Sequence, residues 1–393
     1  MNSLCKLCRR NFITLKSSRP LSRNYSENTL DNHVYDRVIP WKSNRELADY
    51  LCENIVYDSE GLIVLNKPYG VSFSKDGLNW QNIAERSKGF KPVIKHRVPK
   101  VANPDDVLET NRGFIRDDVI NLKAALPFIE DKINGGQPLR VVRVPEKYTS
   151  GVSLLARHEK LELKIKKCLA RSKALREPVD SYLAIVTGEP IIKRLENFTI
   201  GVKLEFSENK KQKKPALTKT YSKNELQRSL VKATTVHSNL LSMGVDEDSG
   251  DALASLVQLE TGIKRWHFVR LFLATHLLAP ALGDHLFGAR VKKVMGEMLL
   301  VDQWSQAAAT GKQKLDRRLL DRLDLTEGSE MYIPTMIHHS SVILEGFQGK
   351  KTDSQFTLQA KPPQHFLWTA ERLALEVPRC DPDEQVQEAS IIQ

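Results

Sequence analysis

Apolar positions along the chain repeat with two periods, one helical and one extended. Asn44 to Leu51 has the helical spacing, with Ser43 placed to cap its first turn. Asn121 to Ile133 repeats it through Leu122, Ala125, Leu126 and Ile129. His158 to Lys173 reads as a basic amphipathic helix, and Lys314 to Leu325 as a helix of alternating basic and apolar residues. Between these lie extended runs. Residues 61 to 66 form a buried strand that stops at Lys67-Pro68-Tyr69-Gly70. Val141 to Val144 leads into a loop ending at Gly151. Tyr182 opens another strand, and residues 195 to 260 read as antiparallel strands with loops. Lys210-Lys211-Gln212-Lys213-Lys214 is placed on one of those loops, where such a run is usually solvated surface. Ser249 to Asp251 marks a turn before the strand Ala254 to Leu259. Residues 75 to 115 look like a loop-rich insertion.

The chain has 393 residues, enough for one large domain or two ordinary ones. No apolar run approaches the length that spans a bilayer. The net charge is +11, which favours a polyanionic partner. Part of that charge belongs to the first 26 residues, where Lys6, Arg9, Arg10, Lys16, Arg19 and Arg23 stand without an acid. This Arg- and Ser-rich stretch reads as a mitochondrial presequence over 1–26; a disordered basic RNA-binding arm is the alternative. Residues 27–60 are then an N-terminal extension, and 377–393 an acidic tail expected to be disordered. The middle stays basic without the leader. Cys5 and Cys8 form a lone C-x-x-C, short of the four ligands of a structural zinc site. No metal and no disulfide are expected.

The most informative stretch is Leu259 to Gly288. Its Thr261-Gly262, Arg265, His267, Arg270, Gly283-Asp284, Phe287 and Gly288 resemble the closing signature of the RluA-type RNA pseudouridine synthases, T-G-R-x-H-Q-[IL]-R followed by G-D-x-x-[YF]-G. Ile263 and Lys264 are extra, and Phe268 stands where the family has Gln. Other blocks follow in order. Gly61 to Gly70 resembles the opening strand and Lys-Pro-x-Gly. Thr149-Ser150-Gly151-Val152-Ser153-Leu154-Leu155-Ala156 resembles the run after the catalytic loop, and Tyr182 to Gly188 the Y-x-A-x-V-x-G strand. Phe356 to Ala360 resembles the closing strand. The resemblance covers roughly residues 60 to 376 and is nearest a divergent animal branch assigned to mitochondrial messenger RNA. It implies an α+β fold, the pseudouridine synthase fold: a central mixed, mostly antiparallel sheet flanked by helices and loops, with the catalytic domain spanning 61–376. It further implies a mitochondrial matrix location, mitochondrial mRNA or rRNA as substrate, and no cofactor. RNA-granule or ribosome-assembly proteins are possible partners.

Converting uridine to pseudouridine breaks the bond from sugar to base nitrogen and joins a base carbon instead. Within RNA the base must first be extruded. A carboxylate then acts on sugar or base, a nearby cation keeps it ionised, and an aromatic ring supports the base. The resemblance assigns these roles to Glu146, Arg270 and Tyr182. It assigns RNA contacts to Lys67, Arg143, Thr149, Ser150, Arg265 and His267, and structural turns to Gly151, Gly262, Gly283 and Asp284. At 146 the family has Asp, preceded by His-Arg-Leu; here Arg143-Val144-Pro145 precede Glu146. Glu moves the carboxylate by about 1.5 Å, and a misplacement of about 1 Å can cost on the order of a hundredfold in rate. Two readings stay open: a divergent synthase whose loop has shifted to suit Glu146, or an RNA-binding scaffold that has lost catalysis and serves RNA stability, ribosome assembly or translation. A metabolic enzyme on another fold would need a nucleotide-phosphate loop, and no such motif is present. His338 and His339 are adjacent, so on a strand they point to opposite faces; packing rather than metal binding is expected of them.

Overall fold

The computed structural model describes residues 33–74, 120–192, 196–208, 212–305, 308, 313–348 and 355–378. The expected presequence, the whole 75–115 insertion, Lys210, Lys211 and nearly all of the tail lie outside the described residues.

The first elements are α1 (Asn44–Glu53), β1 (Ile55–Ser59), β2 (Leu62–Lys67), α2 (Leu122–Ile133), β3 (Arg140–Arg143), β4 (Ser150–Ala156), α3 (Glu159–Leu175) and β5 (Asp180–Thr187). Next come β6 (Glu196–Phe206), β7 (Lys213–Thr218), α4 (Lys223–Gln227), β8 (Val231–Val245), β9 (Ala252–Thr261) and α5 (Phe268–Thr275). The chain continues through β10 (Val291–Val294), β11 (Glu297–Leu300), α6 (Arg317–Arg322), β12 (Ile337–Glu345), β13 (Gln355–Gln359) and α7 (Gln364–Arg372).

One sheet of eleven strands dominates, in the order β1-β2-β4-β12-β5-β9-β8-β6-β7, with β3 on β4 and β13 on β12. Every pairing in it is antiparallel except β12 with β4. This is the mixed, mostly antiparallel α+β sheet expected from the sequence.

The two-residue period of β5 divides the interior. Tyr182, Ala184 and Val186 join the apolar cluster under α5, while Leu183 and Ile185 join the one under α6 and α7. In β2, Ile63 and Leu65 face α1 and α2, while Leu62 and Val64 face α3. The central strands are thus buried on both faces, so they read in the sequence as continuous apolar runs. Each fully buried Leu, Ile or Val contributes about 1.5–3 kcal/mol relative to exposure.

Local signals place the helices. Ser43 accepts from Glu46 N at 3.2 Å, as its position before α1 predicts. Helix α6 is shorter than the expected 314–325 span. Asp316 caps it by accepting from Arg318 N, and the chain turns left-handed at Asp324 (φ 56°).

Two other expectations are corrected. The boundary at residue 61 cuts a hairpin: β1 pairs with β2, so the extension is part of the sheet. Lys213 and Lys214 are not on a loop but open β7, opposite Phe206 and Glu205 of β6. Lys214 Nζ donates to the Gln303 carbonyl at 2.6 Å. Backbone pairing with β6 outweighs the low strand preference of lysine.

Candidate active site

The loop between β3 and β4 carries Glu146 and is pinned from below. Gly70 N donates to the Lys147 carbonyl at 2.9 Å, and Thr149 N to the Glu146 carbonyl at 3.1 Å. Lys67 is fully buried, and its ammonium donates to the carbonyls of Pro68 and Val71, each at 2.9 Å, and reaches Lys147 O at 3.5 Å. A lysine spent on carbonyls beneath the loop is not presented to RNA; the expected contact at Lys67 is corrected to support of the loop.

Thr149 and Ser150 are also buried. Ser150 Oγ lies 2.9 Å from His338 Nδ1, and His338 Nε2 lies 2.8 Å from the Ala360 carbonyl. A carbonyl only accepts, so Nε2 carries the proton and Nδ1 accepts from the serine hydroxyl. Burial pushes His338 down to about 3, which keeps this neutral tautomer. Ser150→Ala is therefore expected to destabilise the fold by about 1–3 kcal/mol, by stranding a buried acceptor. Thermal melting checks this, and an unchanged Tm would refute the assignment.

Gly151 shows why its position needs glycine. With φ of 117°, an added Cβ would stand 2.0 Å from the His339 carbonyl on parallel neighbour β12.

Glu146 and His267 meet. His267 Nδ1 lies 2.8 Å from Glu146 Oε2; the ionised carboxylate accepts, so the imidazole donates. Burial alone would raise the Glu146 pKa, but the charge and hydrogen bond of His267, and then the charge of Arg270, bring it below 4.5. The side chain is 31% exposed, so the carboxylate is ionised at neutral pH and open to a substrate.

Arg270 itself is buried on α5. Its Nε donates to Asp284 Oδ1 at 3.1 Å, and its Nη2 bonds the same oxygen. The guanidinium carbon also lies 5.5 Å from the ring centre of Tyr148. Asp284 Oδ1 further accepts from Leu286 N and Phe287 N, closing the Gly283-Asp284 turn. Burial would raise the Asp284 pKa, but Arg270 and these N–H groups hold it below 3.8. Gly283 (φ 74°) leaves no room for a Cβ, which would meet the Pro334 carbonyl at 2.3 Å. Gly262 N donates to Thr234 Oγ1 at 3.1 Å, fixing the turn after β9.

Beside this group lies a second one. Asp180 starts β5, two residues before Tyr182 and on the same face. Its carboxylate pairs with Arg143 Nη2, lies 2.9 Å from His339 Nε2, and has Lys264 Nζ at 3.8 Å. Burial would raise the Asp180 pKa; Arg143, Lys264 and His339 together press it far below the usual range. Burial and Lys264 push His339 down to about 4. Its Nδ1 lies 3.1 Å from the Val152 carbonyl and its Nε2 faces Asp180, so the one N–H of the neutral ring serves one of two acceptors. The Tyr182 ring stacks on His339 with centroids 4.7 Å apart. Burial and Asp180 raise the Tyr182 phenol well above 10, so it stays protonated.

Glu146, His267 and Arg270 thus form one group, and Arg143 and Tyr182 fall in the adjoining one. Arg265 opens the 3-10 turn Arg265–His267, and its side chain lies outside the described residues. Asp180, His339, Lys264 and Tyr148 were not singled out for the site from the sequence. Strand alternation back from Tyr182 could have found Asp180.

No family profile matches the chain. Individual proteins do. The chain is 27% identical over 289 residues to "Pseudouridylate synthase RPUSD4, mitochondrial" of Danio rerio, covering 71% of each. It is 26% identical over 338 residues to "Mitochondrial mRNA pseudouridine synthase RPUSD3" of Bos taurus, covering 85% of this chain and 81% of that one. In structure, "Human RNA Pseudouridylate Synthase Domain Containing 4" aligns with a TM-score of 0.54 at 20% identity, over 86% of this chain and 98% of that one. The chain is thus similar in sequence to proteins named as mitochondrial pseudouridine synthases. The structural likeness shows the fold alone. Among the described residues no helix is long and apolar enough to cross a membrane.

Proposed function

We propose that the chain is a mitochondrial RNA pseudouridine synthase, an isomerase whose carboxylate is Glu146. One observation carries this reading: at residue 146 an ionised, partly exposed carboxylate is held by His267 Nδ1 at 2.8 Å and lies in the field of Arg270. A fixed, ionised carboxylate is what attack on the sugar, or removal of a proton from it, requires. In this reading the extruded uridine sits against the Tyr182 edge of the site. Glu146 acts on the nucleotide while His267 fixes its orientation. Arg270, locked by Asp284, acts through its charge on Glu146. Arg143 serves at the rim, where the base leaves the stack. The residues are matched to RNA by the basic charge of the chain and by what its relatives are named for. The location is the mitochondrial matrix, and messenger or ribosomal RNA is the substrate.

The test is a map of pseudouridine in mitochondrial RNA from cells with and without the protein, followed by reaction of the purified chain with the RNA found. Loss of discrete sites, restored by the wild-type chain, is expected. A second reading is favoured by the engagement of Arg143 with Asp180 and by the Pro145-Glu146 loop: an RNA-binding scaffold without turnover, acting with RNA-granule or ribosome-assembly proteins. An unchanged map together with retained RNA binding would select it.

A further inference from the structure

Lys264 is one of the two residues by which this chain exceeds the family spacing between Gly262 and Arg265. The backbone accommodates the extra length unusually. Trp266 and His267, neither of them glycine, follow one another in the left-handed region at φ 61° and 56°. Such strain persists only where the surroundings enforce it. The turn that results serves two contacts at once: it brings His267 onto Glu146 and Lys264 toward Asp180.

The ammonium of Lys264 lies 3.8 Å from Asp180 Oδ1, within ion-pair range but too far for a hydrogen bond. It is buried and has no hydrogen-bond partner among the described residues; Arg143 Nε shares both properties. Asp180 faces both cations, Glu146 also faces Lys264, and two buried donors are unfilled. A fully paired structural network would not leave them so. Other parts of both side chains reach the surface, Lys264 being 20% exposed and Arg143 13%, while the unfilled Nζ and Nε atoms are themselves buried. Unfilled N–H groups on two cations beside Tyr182 call for a ligand with negative charge and several acceptor oxygens. A phosphodiester has both.

We propose that Lys264, beside an Arg143 held in place by Asp180, seats a backbone phosphate of the nucleotide drawn into the site. This rests on the RNA-binding part of the function proposed above, not on turnover. Burial, and next the charge of Arg143, push Lys264 down to about 7, while Asp180 and Glu146 pull the other way. The groups facing it are Arg143 of β3, Glu146 of the following loop, Asp180 of β5 and His339 of β12. An arriving phosphate stabilises the protonated lysine and raises its pKa. RNA affinity should accordingly be greatest below pH 7 and decline as pH rises above it, because binding must then take up a proton.

The experiment measures binding of the full chain to a uridine-containing single-stranded RNA oligonucleotide across salt and pH. Lys264→Met should weaken binding by about tenfold. It should also lower the slope of log affinity against log salt by about 0.7, and abolish the decline above pH 7. Lys264→Arg should keep the salt slope and lose the pH dependence, which separates loss of the charge from damage to the fold. Unchanged affinity and slope in Lys264→Met would overturn the proposal. So would unchanged affinity with a slower single turnover, since the lysine would then serve the base or sugar. Wild-type chain that binds RNA without making pseudouridine defeats the enzymatic reading alone and leaves this comparison intact.

Discussion

Glu146→Gln is expected to cut pseudouridine formation by about 10²–10⁴-fold or more, with RNA affinity and melting temperature little changed. The amide keeps the shape of the side chain and can still accept from His267 Nδ1, so the loop has no reason to move. What is lost is the negative charge, which a nucleophile or base needs. Glu146→Asp discriminates further. It restores the residue type of the family but draws the carboxylate back by about 1.5 Å. The hydrogen bond to His267 is built for the longer side chain, so a loss on the order of a hundredfold is expected rather than a gain. The pH profile should agree. Activity needs the carboxylate ionised, and its pKa lies below 4.5. The acid limb should thus fall below pH 4.5, with activity lost as pH drops through the lowered pKa. Full activity of Glu146→Gln on a mapped uridine would move the chemistry to another residue.

The second large effect is on stability. Asp284→Asn and Arg270→Met each leave one member of a buried ion pair without its counter-charge. Removing one partner of such a pair costs about 3–5 kcal/mol, which for a chain of this size lowers Tm by on the order of 5 °C. Replacing both with apolar residues of similar volume should recover most of the loss, because the cost arises from the stranded charge rather than from the missing attraction. The pair also sets an acid limit. Asp284 is depressed below 3.8, so its contribution is complete above the unfolded value and disappears as pH falls through the folded one. Acid unfolding at higher pH in Arg270→Met than in wild type would bear this out. Single variants that melt like wild type would show that the pair carries little of the fold.

The sheet was legible in the sequence because its central strands are buried on both sides and its turns carry glycine where backbone crowding demands it. Gly151 and Gly283 are positions at which a Cβ would strike a carbonyl oxygen. The helices were legible through caps such as Ser43. The start of β7 was not, because two lysines conceal a strand whose register comes from β6. At the site, residue types spaced along ordered motifs pointed to Glu146, Tyr182, His267 and Arg270, and the fold draws them into two adjoining groups. At Lys67 the motif position tells what the residue is, not whether its ammonium faces solvent or the carbonyls it binds here. Asp180 and Lys264 escaped notice because their meaning comes from one another, and they are 84 positions apart along the chain.

Tyr182 belongs to the main apolar cluster and to the polar site at once. Under the function proposed above, selection at this position acts on folding and on chemistry together. A lineage that abandoned turnover would have an easier route at residue 146, whose side chain supports no strand. Its descendants would be expected to keep the tyrosine long after the carboxylate had gone.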